Sequence, residues 1–281
     1  MNQRPKICVG ILTCNRPELF SKLLHTLNLA NISSLIVVND GKPFEIYPDL
    51  EESLKKSNWF LGFPSAQVIQ HEKSFPISYS KNEIVREFLN TDCDYLFILE
   101  DDIEIITPQV FEKYIEVSKF FGLEHMCYAL HGPNNKNALS KPIPRLTLQT
   151  KDSEISLSLY RHCVGAFCMY SRKCIEETGL FDQIRFDKNA WEHVDHTYRC
   201  YKSGFCTPFW WIPDIANSEL YIRDQDPDLS KSIIRNNQNK ENDLLALKAF
   251  FDKYGMYPGN IPDSLENDVI AFLRTNKGKH E

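Results

Sequence analysis

The chain has 281 residues, of which 42% are hydrophobic and 25% charged, the composition of an ordinary globular protein rather than a disordered or fibrous one. Its formal charge of −6 argues against a nucleic-acid partner, which would require a surplus of basic residues to neutralise phosphates. No apolar run reaches the ~18 residues of a membrane span, and the nine cysteines lack CxxC spacing, so we predict a cytoplasmic protein with free thiols.

Over the first 130 residues, apolar runs alternate with amphipathic stretches. This pattern is typical of strands that feed crossover helices in a mostly parallel sheet. Asn15-Arg16-Pro17 predicts the start of the first helix, because asparagine caps helices and proline is tolerated in the first turn. The predicted strands are residues 7–13, 34–40, 67–71, 94–99 and 126–130, and further helices are predicted at 80–88 and 108–121.

The pattern is less regular in the second half of the chain. Residues 133–153 are polar and predict a loop or an antiparallel excursion. Ser171 and Gly179 predict the cap and the end of a short helix. The remaining predicted elements are strands at 163–170 and 209–212 and helices at 191–202, 242–254 and 264–274.

Three acids, Glu100, Asp101 and Asp102, directly follow the predicted strand at residues 94–99. Open α/β sheets bind their ligands at the carboxyl ends of strands. Clustered carboxylates repel one another, and a hard divalent cation stabilises them. Because all the ligand atoms are oxygens, the expected metal is Mg²⁺ or Mn²⁺. From these residues alone, the alternative is a solvated acidic turn or a helix N-terminus, where the helix dipole favours acids.

Other polar residues also end predicted strands. Asp40 ends the second strand, a position from which an acid accepts hydrogen bonds from a base or a ribose. Thr13, Asn15 and Arg16 follow the first strand and would add contacts to the same nucleotide, with helix capping as the alternative.

The helix predicted at 191–202 begins with a dense group of titratable side chains. At helical spacing Glu192, Asp195 and Arg199 share one face, and His193 lies on an adjacent one. A carboxylate or imidazole here is a candidate general base. A capping arrangement with an Asp195–Arg199 ion pair is the alternative.

Taken in order, the motifs T-x-N-R, V-N-D, S-x-N, L-E-D-D, G-L-F-D and W-E-x-V-D resemble those of GT-A fold glycosyltransferases. The resemblance is to glycosyltransferase family 2, typified by enzymes of bacterial polysaccharide synthesis, and it spans roughly residues 6–212. It implies an α/β fold in which helices flank a mixed, nucleotide-binding sheet of the GT-A type. The implied division is a GT-A domain at 1–235, with a nucleotide-binding half at about 1–130 and an acceptor-side half at about 131–235, and a C-terminal helical extension at 236–281.

Carried over by position, the resemblance implies that the residues after the first strand border the nucleotide and that Asp40 contacts its base or ribose. Lys81 stands where the family has an arginine and would face the diphosphate. The implied donor-binding residues are Thr13, Asn15, Arg16, Asp40, Lys81, Asn82 and Asp101.

The resemblance also implies the metal ligands and the catalytic group. Glu100 and Asp102 occupy the outer positions of the D-x-D motif that holds Mn²⁺ or Mg²⁺, with glutamate in place of the first aspartate. The implied catalytic residues are Glu192, His193 and Asp195. Because His193 replaces the acid that usually acts as base, both Glu192 and His193 are candidates.

The implied activity is transfer of a hexose or N-acetylhexosamine from a nucleotide diphosphate sugar, most commonly a UDP-sugar, to a hydroxyl of a glycan or lipid-linked glycan, with inversion. The implied location is the cytoplasm or the inner face of the membrane. A sugar-phosphate nucleotidyltransferase is one alternative, although no glycine-rich loop follows the first strand. A catalytically silent nucleotide- or glycan-binding subunit is the other, because Lys81, Glu100 and His193 replace commoner residues.

The extension at 236–281 carries apolar residues such as Leu265 and Val269 beside Lys277. This pattern predicts that it packs on the main domain, with peripheral membrane contact as the alternative. The sequence gives no indication of the oligomeric state.

Overall fold

The computed structural model describes residues 4–27, 30–44, 63–150, 155–187, 190–226 and 239–277. Its centre is a six-stranded mixed sheet with helices packed on both faces. In chain order the elements are β1 (Ile7–Thr13), α1 (Pro17–Leu27), β2 (Ser34–Asn39), β3 (Ser65–Gln70), α2 (Ile77–Leu89), β4 (Tyr95–Glu100), β5 (Ile103–Ile105), α3 (Val110–Phe121), β6 (His125–Cys127), β7 (Leu146–Gln149), β8 (Ser156–Tyr160), β9 (Phe167–Ser171), α4 (Arg172–Thr178), α5 (Glu192–Lys202), β10 (Ile212–Ile215), a 3-10 helix (Ser218–Leu220), β11 (Ile222–Asp224), α6 (Asn239–Tyr254), a second 3-10 helix (Pro258–Asn260) and α7 (Glu266–Asn276).

The strand order in the central sheet is β3-β2-β1-β4-β9-β6. Strands β3, β2, β1 and β4 are parallel, β9 is antiparallel to β4, and β6 is antiparallel to β9. The carboxyl ends of β1, β2, β3, β4 and β6 therefore lie at the same edge of the sheet. The predicted mixed α/β architecture is confirmed.

Strand β1 reads as an unbroken apolar run because both of its faces are buried. Val9 and Ile11 pack in the core on one face of the sheet, and Cys8 and Leu12 pack on the other. Gly10 lets α2 approach closely, since a Cβ there would lie 2.2 Å from the Ile84 side chain.

Two smaller antiparallel sheets complete the fold. One has the order β10-β8-β7, and the other pairs β11 with β5, directly after the acidic cluster. The polar stretch predicted at 133–153 contains β7, although residues 151–153 lie outside the described residues. The strand predicted at 209–212 is wrong in position, because β10 begins only at Ile212. Trp210 adopts a left-handed conformation (φ 73°) and breaks the extended backbone before that point.

The C-terminal extension packs on the rest of the chain, as its apolar residues predict. Val269 and Leu273 of α7 are buried in the same core as α3, and Phe250 of α6 packs on Tyr198 of α5. Leu265 remains exposed. No helix in the described part of the chain is both long and apolar enough to cross a membrane. The proposed boundary at residue 235 falls within 227–238, outside the described residues.

A buried carboxylate joins α6 to α5. Asp195 of α5 is fully buried, and the Tyr254 hydroxyl donates to its Oδ1 over 2.7 Å. The Lys253 Nζ lies 2.8 Å from the same oxygen, and the Arg199 Nε donates to Oδ2 over 3.2 Å. The extension thus supplies two of the groups that satisfy a charge in the main domain.

We expect Tyr254→Phe to lower the free energy of unfolding by about 1–3 kcal/mol, because a buried carboxylate oxygen loses a donor. Chemical denaturation measures this change. Tyr257→Phe, at an exposed position, is the matched control and should stay within about 0.5 kcal/mol of the parent. Equal stability of Tyr254→Phe and the parent would mean that the Tyr254 hydroxyl adds no net stability to the contact between α6 and α5.

Candidate active site

A cavity of about 400 Å³ opens at the edge of the central sheet where β1, β2 and β4 end. Ligands of open α/β sheets bind at this edge. Its walls come from strand ends, from the segment before β9 and from the start of α5, and α6 contributes to the rim. Seven of the residues predicted from the sequence line it: Thr13, Arg16, Asp40, Glu100, Asp102, Glu192 and His193.

The acidic cluster at the end of β4 divides into two parts. Asp101 is fully buried, where the Thr13 hydroxyl donates to its Oδ2 over 2.7 Å and the Arg16 guanidinium contacts its Oδ1. Asp102 lines the cavity, and the Arg16 Nη1 donates to its Oδ2 over 2.9 Å. Glu100 also lines the cavity. Arg16 therefore holds the cluster together from one side and leaves Asp102 facing the open space.

Burial raises the pKa of both aspartates despite this guanidinium. The pKa of Asp101 rises to about 7 because burial outweighs the opposing effects of Arg16 and Thr13. Burial also raises the pKa of Asp102, and the charge of Glu100 adds to that rise. A cation that binds here would lower the free energy of the charged cluster.

The donor atoms at this strand end fit a divalent cation. Asp102 Oδ1 is buried and has no hydrogen-bond partner. Glu100 and Asp102 would hold the ion, since carboxylate oxygens are the preferred ligands of Mg²⁺ and Mn²⁺. Within the described ranges, no three His, Cys, Asp or Glu side chains are grouped closely enough to hold a metal by themselves. Water or a bound diphosphate would supply the remaining ligands.

At the other end of the cavity, Asp40 is held in one orientation. Its Oδ1 lies 2.6 Å from His71 Nδ1, and its Oδ2 accepts a hydrogen bond from the Ser80 hydroxyl. The Phe75 ring, which lines the cavity beside Asp40, stacks on Tyr79 with 4.4 Å between ring centroids. This end of the cavity thus combines a fixed carboxylate with an aromatic wall, as small-molecule sites commonly do.

Glu192 and His193 also line the cavity, and Lys81 connects Glu192 to the acidic cluster. Glu192 Oε1 lies 2.8 Å from Lys81 Nζ and 3.2 Å from His193 Nδ1. Lys81 is only 1% exposed, and its Nζ is also 3.5 Å from Glu100 Oε1. Gly165 lets His193 approach the backbone, because a Cβ there would lie 2.9 Å from the imidazole Cγ.

The charges in this group stabilise one another. Burial alone would raise the pKa of Glu192, but Lys81 and His193 together hold it well below its usual range. Burial alone would lower the pKa of His193, but Glu192 raises it to about 9. At neutral pH, Glu192 is therefore ionised and His193 is protonated.

No protein-family model and no curated protein matches the chain. Solved structures do match. One is the mannosyltransferase PcManGT from Pyrobaculum calidifontis in complex with GDP-Man and Mn²⁺, at 10% identity and a TM-score of 0.50, over 98% of this chain and 80% of that one. Another is GalNAc-T7 with UDP, GalNAc and Mn²⁺, at 14% identity and a TM-score of 0.53, over 73% of this chain and 42% of that one. The chain has a GT-A glycosyltransferase fold.

Within this GT-A fold, five residues predicted from the sequence lie away from the cavity surface. Lys81 is paired with Glu192, and Asp195 faces α6. Asn82 binds the backbone of Phe181 in both directions, donating over 3.0 Å and accepting over 2.8 Å. The side-chain oxygen of Asn15 accepts from the backbone of Lys42, and Asp101 lies behind Asp102. Donor contacts by Asn15, Lys81, Asn82 and Asp101, and a catalytic role for Asp195, stay predictions.

The site also involves residues that no sequence motif indicated. His131 lines the cavity and lies shortly after β6, and His71, which contacts Asp40, follows β3, so the strand-end argument that selected Asp40 applies to both. Trp191 has a left-handed backbone (φ 66°), and its indole nitrogen donates to Asp243 of α6 over 3.2 Å. No local sequence pattern indicated Asp243 as a site residue, because only the packing of α6 brings it to the cavity.

Proposed function

We propose that this protein is a metal-dependent glycosyltransferase of the GT-A fold. It transfers a hexose or N-acetylhexosamine from a nucleotide diphosphate sugar to a hydroxyl of a glycan or lipid-linked glycan. The observation that carries the proposal is one cavity lined by Asp40, by the acids Glu100 and Asp102, and by Glu192 with His193. The fold it shares with a GDP-Man complex and a UDP complex supports the same reading.

The donor lies in the cavity with its base and its diphosphate at different ends. Its base stacks beside Phe75 and hydrogen-bonds to Asp40, while its diphosphate lies at Glu100 and Asp102. Glu100 and Asp102 would hold a divalent ion, whose positive charge would offset the negative charge on the departing nucleotide diphosphate. Arg16 fixes Asp102, and burial of the acids keeps their electrostatic interactions strong.

The acceptor enters on the side of α5 and α6. Asn242 and Asp243 line this part of the cavity together with Trp191. An aromatic ring beside polar side chains suits a sugar, which has apolar faces and a rim of hydroxyls. Glu192 accepts the proton of the attacking hydroxyl, and attack from the face opposite the leaving diphosphate inverts the anomeric carbon. We further propose a role in bacterial polysaccharide or surface glycan synthesis, in the cytoplasm or at the inner face of the membrane.

The test is a thermal-shift panel of UDP- and GDP-sugars with Mn²⁺, followed by measurement of nucleotide release. A ligand at a hundred times its Kd adds about 2.7 kcal/mol to the free energy of unfolding, which such a panel detects. Slow release of UDP or GDP from one sugar donor is the expected result. Release of pyrophosphate from a nucleoside triphosphate would instead indicate a nucleotidyltransferase, and binding without any release would indicate a silent subunit.

We expect Asp40→Ala to raise the Kd for the nucleoside diphosphate by roughly ten- to a hundredfold, because one charge-assisted hydrogen bond contributes about 1.5–3 kcal/mol. The dependence of binding on Mn²⁺ should persist, since Asp102 is untouched. Isothermal titration calorimetry measures both effects. Asp92→Ala removes an acid that is largely exposed and pairs with Lys6, and should leave the Kd unchanged. Equal affinity in Asp40→Ala and the parent would mean that Asp40 does not contribute to nucleotide binding.

A further inference from the structure

His131 stands beside Asp102 in the cavity, and the sequence analysis gave it no role. Its Nε2 lies 4.0 Å from Asp102 Oδ2, and its Nδ1 lies 3.4 Å from Asp224 Oδ1. We infer that His131 is a ligand of the bound metal together with Asp102, that Asp224 orients its imidazole, and that this nitrogen ligand makes the site prefer Mn²⁺ over Mg²⁺. The inference rests on the proposed function, because it concerns the metal of that site.

The separation of the two side chains fits one shared ion. A metal in such a site lies about 2.0–2.2 Å from each nitrogen or oxygen ligand, so two ligand atoms are at most about 4.4 Å apart. The 4.0 Å between His131 Nε2 and Asp102 Oδ2 falls within this limit, although the same oxygen also accepts a hydrogen bond from Arg16. The other oxygen of this carboxylate, Oδ1, has no hydrogen-bond partner and remains open for coordination, and Asp102 is only 3% exposed.

Asp224 is placed to support the imidazole. It ends β11, which pairs with β5 directly after the acidic cluster, so the sheet brings it next to His131. The backbone N–H of Gly132 donates to its Oδ2 over 2.7 Å, and Lys136 Nζ lies 3.6 Å from the same oxygen. Asp224 Oδ1 accepts a hydrogen bond from the backbone N–H of Asp226 over 3.1 Å and lies 3.4 Å from His131 Nδ1. A carboxylate behind a metal-bound histidine fixes the orientation of the ring and the nitrogen that carries the proton.

The imidazole of His131 affects which divalent ion the site prefers. Mg²⁺ is a hard ion that takes oxygen ligands almost exclusively, whereas imidazole nitrogen suits transition metals. The carboxylates alone would accept Mg²⁺ or Mn²⁺. Addition of His131 to Asp102 shifts the preference towards Mn²⁺.

The test is the electron spin echo spectrum of Mn²⁺ bound to the full chain in the presence of UDP. An imidazole bound directly to Mn²⁺ gives a nitrogen modulation, which we expect in the parent, in His162→Ala and not in His131→Ala. His162 is the matched control because it lies in the same half of the chain and outside the cavity wall. The Kd for Mn²⁺, read from the free-ion signal, should rise about 10–100-fold in His131→Ala and about tenfold in Asp224→Asn. The Kd for Mg²⁺, from competition with Mn²⁺, should change much less.

An unchanged Kd and an unchanged nitrogen modulation in His131→Ala would overturn the inference. A parent that binds Mn²⁺ without nitrogen modulation would also overturn it, while the proposed glycosyltransferase activity would stand if nucleotide is released. Absence of Mn²⁺ binding in the parent would overturn both the inference and the metal dependence. Melting in the presence of a chelator checks the fold of each variant. If His131→Ala is unfolded, His131→Gln replaces it and should lose the nitrogen modulation in the same way.

Discussion

Asp102→Asn is expected to lower turnover by about a hundred- to thousandfold and to abolish the gain in UDP affinity that Mn²⁺ produces. The substitution removes one charge from the cluster that would hold the ion, and it leaves the volume of the side chain almost unchanged. Loss of one preorganised group that stabilises developing charge has effects of this size. Single-turnover kinetics and calorimetry with and without Mn²⁺ measure the two effects separately.

The same substitution should not destabilise the protein. Burial raises the pKa of Asp102 in the folded state above that of the unfolded chain, so ionisation of this group costs folding free energy as the pH rises. An amide has no such cost, and Arg16 keeps its ion pair with Asp101. The melting temperature of Asp102→Asn at pH 7 in a chelator should therefore equal or exceed that of the parent.

This combination separates a functional carboxylate from a structural one. A functional group placed at a cost in stability gives lower activity and equal or higher stability when it is neutralised. Full turnover of Asp102→Asn with Mn²⁺ would contradict the proposed metal site at Asp102. A large fall in its melting temperature would instead mean that Asp102 serves the fold, through Arg16.

The central strands were the part of the fold most open to prediction from the sequence. β1 matches its predicted bounds because a strand buried on both faces reads as a continuous apolar run that ends where the polar site begins. The same reasoning located Asp40 and Glu100 at the site edge. It failed at residues 209–212, because the local β-propensity of two tryptophans did not reveal the left-handed backbone at Trp210.

The side-chain partners within the site could not be read from sequence. Lys81 matches a motif whose arginine faces the diphosphate, yet the packing of α2 against α5 places its amine on Glu192. Asp224 reaches His131 only because β11 pairs with β5, two strands separated by more than a hundred residues. Such contacts depend on the tertiary arrangement, and no local periodicity carries them.

Glu192→Gln is expected to lower turnover at least about a hundredfold, and His193→Ala to lower it less, in line with general-base contributions of roughly 10²–10⁴. The protonation states of the two side chains explain why the Glu192 substitution has the larger expected effect. Glu192 stays ionised because Lys81 and His193 hold its pKa well below its usual range. His193 carries a proton at neutral pH, because Glu192 raises its pKa to about 9, so it cannot accept one from the acceptor.

The pH dependence separates the two candidates. If Glu192 is the base, turnover of the parent should be nearly constant between pH 6 and pH 8, because its protonation state does not change there. If His193 were the base, turnover would rise about tenfold per pH unit until about pH 9. The stability effect has its own sign: the ion pair of His193 with Glu192 stabilises the fold fully below about pH 6.5, and this contribution is lost as the pH rises through about 9.

Glu192→Gln also leaves Lys81 buried without its nearest charge, so the variant should melt at a lower temperature than the parent. Turnover must then be compared well below that temperature, with UDP affinity as the check that the donor site is intact. Because Glu100 still lies 3.5 Å from Lys81 Nζ, the amine keeps one carboxylate and the wall of the cavity should survive. Near-parental turnover in a folded Glu192→Gln that binds UDP would exclude Glu192 as the base. A rate in the parent that rises until about pH 9 would then assign the base to His193.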